Sequence, residues 1–247
     1  MSRRAWVEQV MGMPVSIHLR GPDVRGTEAE DAVAAVYAEL VRLDAVFSTY
    51  RPDSLISRRR RGEVTSGPDD PVLAEVEQLC AVASERTDGA FTAWLPDSDG
   101  VLRYDPTGLV KGWAVDRAAV PLTRLPFAAW SVNAGGDVLV GRHAHLRPEG
   151  ADAAPWRIGV EDPRDRSQMV AVVPLAEGAV ATSGSAARGA HLFDPVAHRM
   201  VERTGSMTVV TDTLLWADVW ATALFVGGQR AREAFSRNAP GAQTFAA

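Results

Sequence analysis

The chain has 247 residues, 46% apolar and 23% charged, a globular profile with enough length for a sizeable core in one or two domains. That excludes a disordered, collagen-like or coiled-coil chain, and no apolar run approaches the roughly 18 residues that a membrane span needs. The net charge of −5 argues against a nucleic-acid binder, which usually carries a basic excess.

Residues 4–10 and 15–20 read as two strands around the turn Met11-Gly12-Met13-Pro14. In the second, Val15, Ile17 and Leu19 alternate with Ser16, His18 and Arg20, the period of a half-buried strand. Thr27 opens a helix, with Glu30 completing a capping box. Val33, Val36, Tyr37, Leu40, Leu43 and Phe47 give that helix one apolar face. Asp70-Pro71 starts the next helix, a capping residue followed by proline at the first helical position. Its stripe is Val72, Val76, Leu79, Cys80 and Ala83, so Cys80 reads as core rather than as a nucleophile. A third helix is expected over residues 111–120. Short strands follow at 130–132, 137–140, 156–160, 169–173, 179–181 and 207–211, separated by turn residues as in a largely antiparallel sheet. A strong helix covers 214–226, and residues 236–247 look like a frayed tail. The sum is a single α+β domain over residues 1–247, a largely antiparallel sheet with packed helices.

Three clusters carry candidate chemistry. Asp218 and Thr222 lie four apart on one helix face, where their oxygens suit a hard cation at an exposed site; a polar helix face is the plain alternative. Thr182-Ser183-Gly184-Ser185 precedes His191-Leu192-Phe193-Asp194-Pro195. Such a hydroxyl-rich turn can hold phosphate oxygens, and a histidine beside a carboxylate can act as a general base; a loop with a β-turn is the alternative. Asp105-Pro106-Thr107-Gly108 leads into a helix whose first turn favours an anion. Lys111, the only lysine among 26 basic residues, follows at once, and a lysine kept amid arginines suggests a need for a compact ammonium; survival by chance is the alternative. Asn133-Ala134-Gly135-Gly136-Asp137 lacks GxGxxG and reads as a hairpin turn rather than a dinucleotide fingerprint. The arginine run at 58–61 reads as a solvated loop, and His143-Ala144-His145 as surface histidines rather than a metal site.

In this order the clusters resemble the ApbE family of FAD:protein FMN transferases. The resemblance runs from the Met11-Gly12 turn through FSTYRPDSLIS, DGAF, DPTGLVKGWAVD, VNAGGDVLVG, PWRIGVEDP, AVATSG and HLFDP to ADVWATALFVGG, nearly the whole chain. It implies Mg²⁺-dependent transfer of FMN from FAD to a threonine or serine hydroxyl of an acceptor protein, with release of AMP. On that resemblance Asp218, Thr222 and the Gly108 carbonyl would hold the metal, His191 would be the base and Asp194 would orient it. Met11, Tyr50, Ala90, Phe91, Thr92, Asp105, Lys111, Thr182, Ser183 and Leu192 would contact FAD. The chain departs from the family after Phe91, where Thr92-Ala93-Trp94-Leu95-Pro96 replaces a longer loop that begins with aspartate. Two other readings of the same residues are an Mg²⁺-dependent FAD pyrophosphatase giving FMN and AMP, and a non-catalytic FAD-binding protein. The start MSRRAWVEQVMGMPVSI has no apolar h-region or cleavage site, and one cysteine cannot make an internal disulfide. A cytoplasmic enzyme, with an acceptor on the same side of the membrane, is expected.

Overall fold

Alternation along residues 13–21 sends Val15, Ile17 and Leu19 into the core. In the computed structural model, which describes residues 2–63, 70–126, 128–143, 154–184, 192–201 and 203–247, strands β1 (Ser2–Val10) and β2 (Met13–Gly21) form a hairpin. Its two-residue loop requires positive φ at both positions, and Met11 and Gly12 have φ of 55° and 71°. Gly135-Gly136 makes the matching turn between β5 (Ala129–Ala134) and β6 (Asp137–Arg142). These strands join β9 (Gly178–Gly184), β12 (Ser206–Thr211) and β13 (Gln243–Ala246) in a seven-stranded antiparallel sheet, ordered β1-β2-β5-β6-β9-β12-β13.

Helices cover one face of the sheet. Helix α1 (Thr27–Phe47) buries the predicted stripe from Val33 to Phe47. The short α2 (Leu55–Arg60) follows it, and α3 (Pro71–Arg86) is capped by the Asp70 carboxylate on the N–H groups of Val72 and Leu73. Helix α4 (Thr107–Ala118), with the one-turn α5 (Val120–Thr123), leads back to β5. Helix α6 (Leu214–Val226) is apolar on nearly every side and lies between β9, β12 and α4, as such a helix must. The amphipathic α7 (Gly228–Asn238) packs against α6. On the opposite face, the hairpin β7 (Trp156–Glu161) and β8 (Met169–Leu175) sets Val160 and Val173 against Val180 and Val210 of the sheet. Two small hairpins complete the described elements: β3 (Trp94–Pro96) with β4 (Leu102–Tyr104), and β10 (Phe193–Asp194) with β11 (Arg199–Met200). The expected α+β architecture with a largely antiparallel sheet is therefore present, and no helix among the described residues is long and apolar enough to cross a membrane.

Several local expectations are corrected by tertiary contacts. The stretch 236–247 is not a frayed tail: Arg237 and Asn238 end α7, and Gln243–Ala246 pairs with β12. Its weak local signal is outweighed by the ladder bonds and by Phe245 packing on the Val180–Val210 cluster. The capping box at Thr27 does not form. Gly26 takes the cap position without a side-chain bond, because the Glu30 carboxylate is held by Trp6 Nε1 and Arg4 of β1. The arginine run is not a solvated loop. Arg58 to Arg60 lie in α2; Arg59 pairs with Glu77, and Arg60 pairs with Asp105 at 2.6 Å. Cys80 is core as expected, and burial raises its thiol to about 11.

Candidate active site

Helices α4 and α6 meet closely because position 112 is glycine. A Cβ on Gly112 would lie 2.7 Å from the Leu214 carbonyl oxygen and 2.9 Å from Leu215 Cα. One turn further along α4, the Asp116 carboxylate accepts the Leu214 and Leu215 N–H groups at 2.9 and 2.8 Å. It thereby satisfies donors that a helix start leaves open, alongside the Thr213 side-chain cap. Burial raises the Asp116 carboxyl to about 6, against the opposing pull of those two hydrogen bonds.

This register brings Lys111 of α4 to Asp218 of α6. The Lys111 ammonium contacts Asp218 Oδ1 at 3.3 Å and pairs with Asp137 at the start of β6. Both aspartates are buried, Asp218 at 4% exposure and Asp137 at 3%. Burial alone would lower the Lys111 ammonium, but Asp218 and Asp137 together outweigh it and hold the group above its ordinary value. Asp137 Oδ1 accepts the Thr182 N–H at 2.9 Å, tying the cluster to β9. Thr222, one turn after Asp218, shares a 2.8 Å hydroxyl contact with Ser183. The β9 alternation divides the two predicted hydroxyls: Ser183 is turned to α6, whereas the Thr182 hydroxyl meets Thr208 at 2.8 Å. Asp218 was expected as an exposed ligand, and the structure corrects this to a buried, ion-paired carboxylate.

The rest of the predicted set lies around the start of α4. Gly108 is in the first turn of α4, and a Cβ there would stand 3.5 Å from the Phe91 ring. Phe91 and Ala90 are buried, and the Phe91 N–H donates to the buried Thr87 hydroxyl at 3.0 Å. Thr92 accepts the Trp94 N–H, which turns the short loop directly into β3. Asp105 accepts the Thr107 N–H and hydroxyl through Oδ1 while Oδ2 holds Arg60. Met11 occupies the β1–β2 turn, beside the turn whose last residue is followed by Asp137; Gly135 N–H bonds the Pro14 carbonyl at 3.2 Å. A cavity of about 440 Å³ opens by these turns, lined by Gly12, Met13, Ser16 and Asn133 among others. None of the predicted site residues lines it.

Some predicted residues are not drawn into the cluster by a contact. Tyr50 is 93% exposed in the loop after α1. Leu192 is half-buried, and its carbonyl accepts the Val201 N–H. Asp194 Oδ1 accepts the Val196 and Ala197 N–H groups, closing the turn between β10 and β11. His191 lies outside the described residues, as do residues 144 and 145 of the histidine pair. Conversely, Asp137, Asp116 and Arg60 were missed as contributors. A carboxylate directly after the double-glycine turn was the available signal for Asp137.

A family model described as the ApbE family matches residues 11–96 and 92–245. This chain belongs to the ApbE family. The two matched segments overlap at residues 92–96, just after Phe91. Among curated relatives, the FAD:protein FMN transferase of Salmonella typhimurium is 32% identical over 154 residues, covering 58% of this chain and 41% of that protein. That of Rhodobacter capsulatus is 32% identical over 167 residues, covering 63% of this chain and 30% of that protein. The chain thus matches less than half the length of these relatives. Two solved structures share the fold: the Flavin Transferase ApbE from Vibrio cholerae, with TM-score 0.77 and 20% identity over 100% of this chain and 97% of that one, and the ApbE protein from Thermotoga maritima, with TM-score 0.76 and 23% identity over 99% and 94%.

Proposed function

We propose that this ApbE-family chain transfers FMN from FAD to a threonine or serine hydroxyl of an acceptor protein. The hydroxyl oxygen forms a bond to the FMN phosphorus, the P–O–P anhydride breaks, and AMP leaves. The observation that carries this reading is the pairing of half-buried Lys111 with the buried Asp137 and Asp218, with Thr222 one turn away on α6.

The donor set fits a hard divalent cation. Asp218, Thr222 and the Gly108 carbonyl offer only oxygen, and the cluster has two carboxylates for one ammonium. Mg²⁺ held there would neutralise pyrophosphate charge and ease departure of AMP. Lys111 adds a fixed positive charge, and Asp137 positions it from β6. Ser183 orients the Thr222 hydroxyl, while the Thr182 N–H fixes Asp137. The first turn of α4 faces the anion, and Asp105 flanks it by holding the Thr107 N–H and Arg60, with Met11, Tyr50, Ala90, Phe91, Thr92 and Leu192 assigned to FAD. His191 takes the acceptor hydroxyl proton, and Asp194 orders the chain just beyond it. A cytoplasmic setting belongs to the same proposal, supported by the lone buried thiol of Cys80.

The test incubates the protein with FAD, Mg²⁺ and an acceptor bearing a Ser/Thr-Gly-Ala-Thr-like target, then reads in-gel flavin fluorescence. A fluorescent acceptor band that is lost with chelator and in His191→Ala is expected. AMP and FMN accumulating without a band would replace transfer by FAD hydrolysis, and intact FAD would leave a binding protein.

A further inference from the structure

Strand β1 ends the seven-stranded sheet, and among the described residues no strand pairs with its outer edge. The tight turn decides which groups face outward. Val10 and Met13 flank the two-residue loop and form a hydrogen-bonded pair, so alternate residues back from Val10 bond to β2. Arg3, Ala5, Val7 and Gln9 therefore direct their N–H and C=O groups to the open edge, and all four are exposed. Protein edges are usually blunted by proline, a bulge, a very short strand or charged side chains. β1 runs nine residues without proline or bulge and carries charges of both signs, Arg3, Arg4 and Glu8, which a suitable partner strand can pair, whereas the opposite edge, β13, is only four residues long.

We propose that β1 pairs antiparallel with β1 of a second copy of this chain, about a two-fold axis at Trp6. Outward residues must meet outward residues, which removes every register displaced by one. Of those that remain, the register centred on Trp6 sets Arg4 opposite Glu8 of the partner subunit, and by symmetry the reverse. Shifting the centre to Ala5 or to Val7 brings no arginine opposite glutamate. Glu8 is exposed and has no ion pair among the described residues. Arg4 lies over the Trp6 ring at 4.7 Å and pairs with Glu30 on one side. Arg4–Glu8 and Trp6–Trp6 would be non-hydrogen-bonded pairs, the class with the closest side chains. On the opposite face Ala5 would meet Val7 of the partner subunit, covering a valine that is 63% exposed. Two sheets then continue as one across the axis.

An interface of this size belongs to the weak, transient class, so the experiment is sedimentation velocity across a wide concentration range. The expected result is a concentration-dependent rise from 26.5 kDa toward twice that mass. Val7→Pro removes an outward N–H and is expected to keep the chain monomeric. Glu8→Arg, at an exposed position that does not endanger folding, sets like charges across the axis twice and is expected to weaken association roughly tenfold. Arg4→Glu/Glu8→Arg restores the opposite charges and the association. A wild-type chain that stays at 26.5 kDa throughout, or variants that associate as it does, overturns the proposal; a charge swap without recovery overturns the register.

Discussion

Replacing Gly112 by alanine sets two effects of opposite sign against each other. In an isolated helix the change is stabilising by about 1 kcal/mol, because glycine loses more backbone freedom. At the α4–α6 contact, the new Cβ would stand 2.7 Å from the Leu214 carbonyl oxygen and 2.8 Å from the Leu214 carbonyl carbon. These are backbone atoms, so no side chain can rotate away. α6 must retreat by roughly 0.7 Å to reach ordinary contact at 3.4 Å in a close-packed interior. Overpacking of this kind costs typically ~1–3 kcal/mol. The retreat also stretches the two Asp116 bonds that cap α6, each worth about 1 kcal/mol. The net expectation is a loss of about 1–4 kcal/mol. Urea unfolding should show the midpoint fall at constant slope, and thermal unfolding a drop of roughly 2–4 °C per kcal/mol. Flavin transfer should fall in parallel, since the same movement separates Lys111 from Asp218. A variant as stable as wild type, or more stable, would refute the close-contact argument and leave only helix propensity.

Asp116 should give stability a pH signature. Its carboxyl titrates at about 6 in the folded chain against an ordinary 3.8, so the folded state holds the proton more tightly. The resulting contribution is fully present below pH 3.8 and is lost as pH rises through 6, amounting to about 3 kcal/mol at most by linkage. Unfolding free energies of wild type minus Asp116→Asn, measured from pH 4 to 8, should decline over that window (about 2 units of pH by the same linkage); a flat difference would remove the assignment. Asp137→Asn keeps an acceptor for the Thr182 N–H but takes a charge from Lys111, for an expected loss of about 1–3 kcal/mol. Adding Lys111→Met should cost less than the sum of the two single changes in a double-mutant cycle, and strict additivity would deny their coupling. Lys111→Arg keeps the charge but brings a wider fork between the two carboxylates, so transfer should slow about tenfold or more, equivalent to ~1.4 kcal/mol. An unchanged rate and FAD affinity would return the lone lysine to chance. Asp218→Asn is expected to abolish chelator-sensitive transfer, and full Mg²⁺-dependent activity in it would sink the metal assignment.

Elements whose signal is local were legible along the chain. Period-two alternation marked β2, the spacing from Val33 to Phe47 marked α1, Asp70-Pro71 marked the start of α3, and the apolar run marked α6 from Leu214 to Val226. Asp218 and Thr222 were visible because four residues on a helix share a face, and Lys111 because arginine serves nearly everywhere else. Contacts between distant segments decided the rest. β13 has little intrinsic strand character and exists because β12 offers an edge and Val180 and Val210 offer a place for Phe245. Glu30 could have capped α1, but Trp6 and Arg4 hold it across 24 residues or more. Asp137 was just a residue after a turn until folding set it against an ammonium 26 positions earlier, with a carboxylate from α6 on the other side. Local propensity and spacing act within a few residues, whereas charge pairing in a buried site depends on which segments the chain brings together. That is why α1, α3 and α6 could be read along the sequence, whereas the pairing of Asp137 with Lys111 and Asp218 could not.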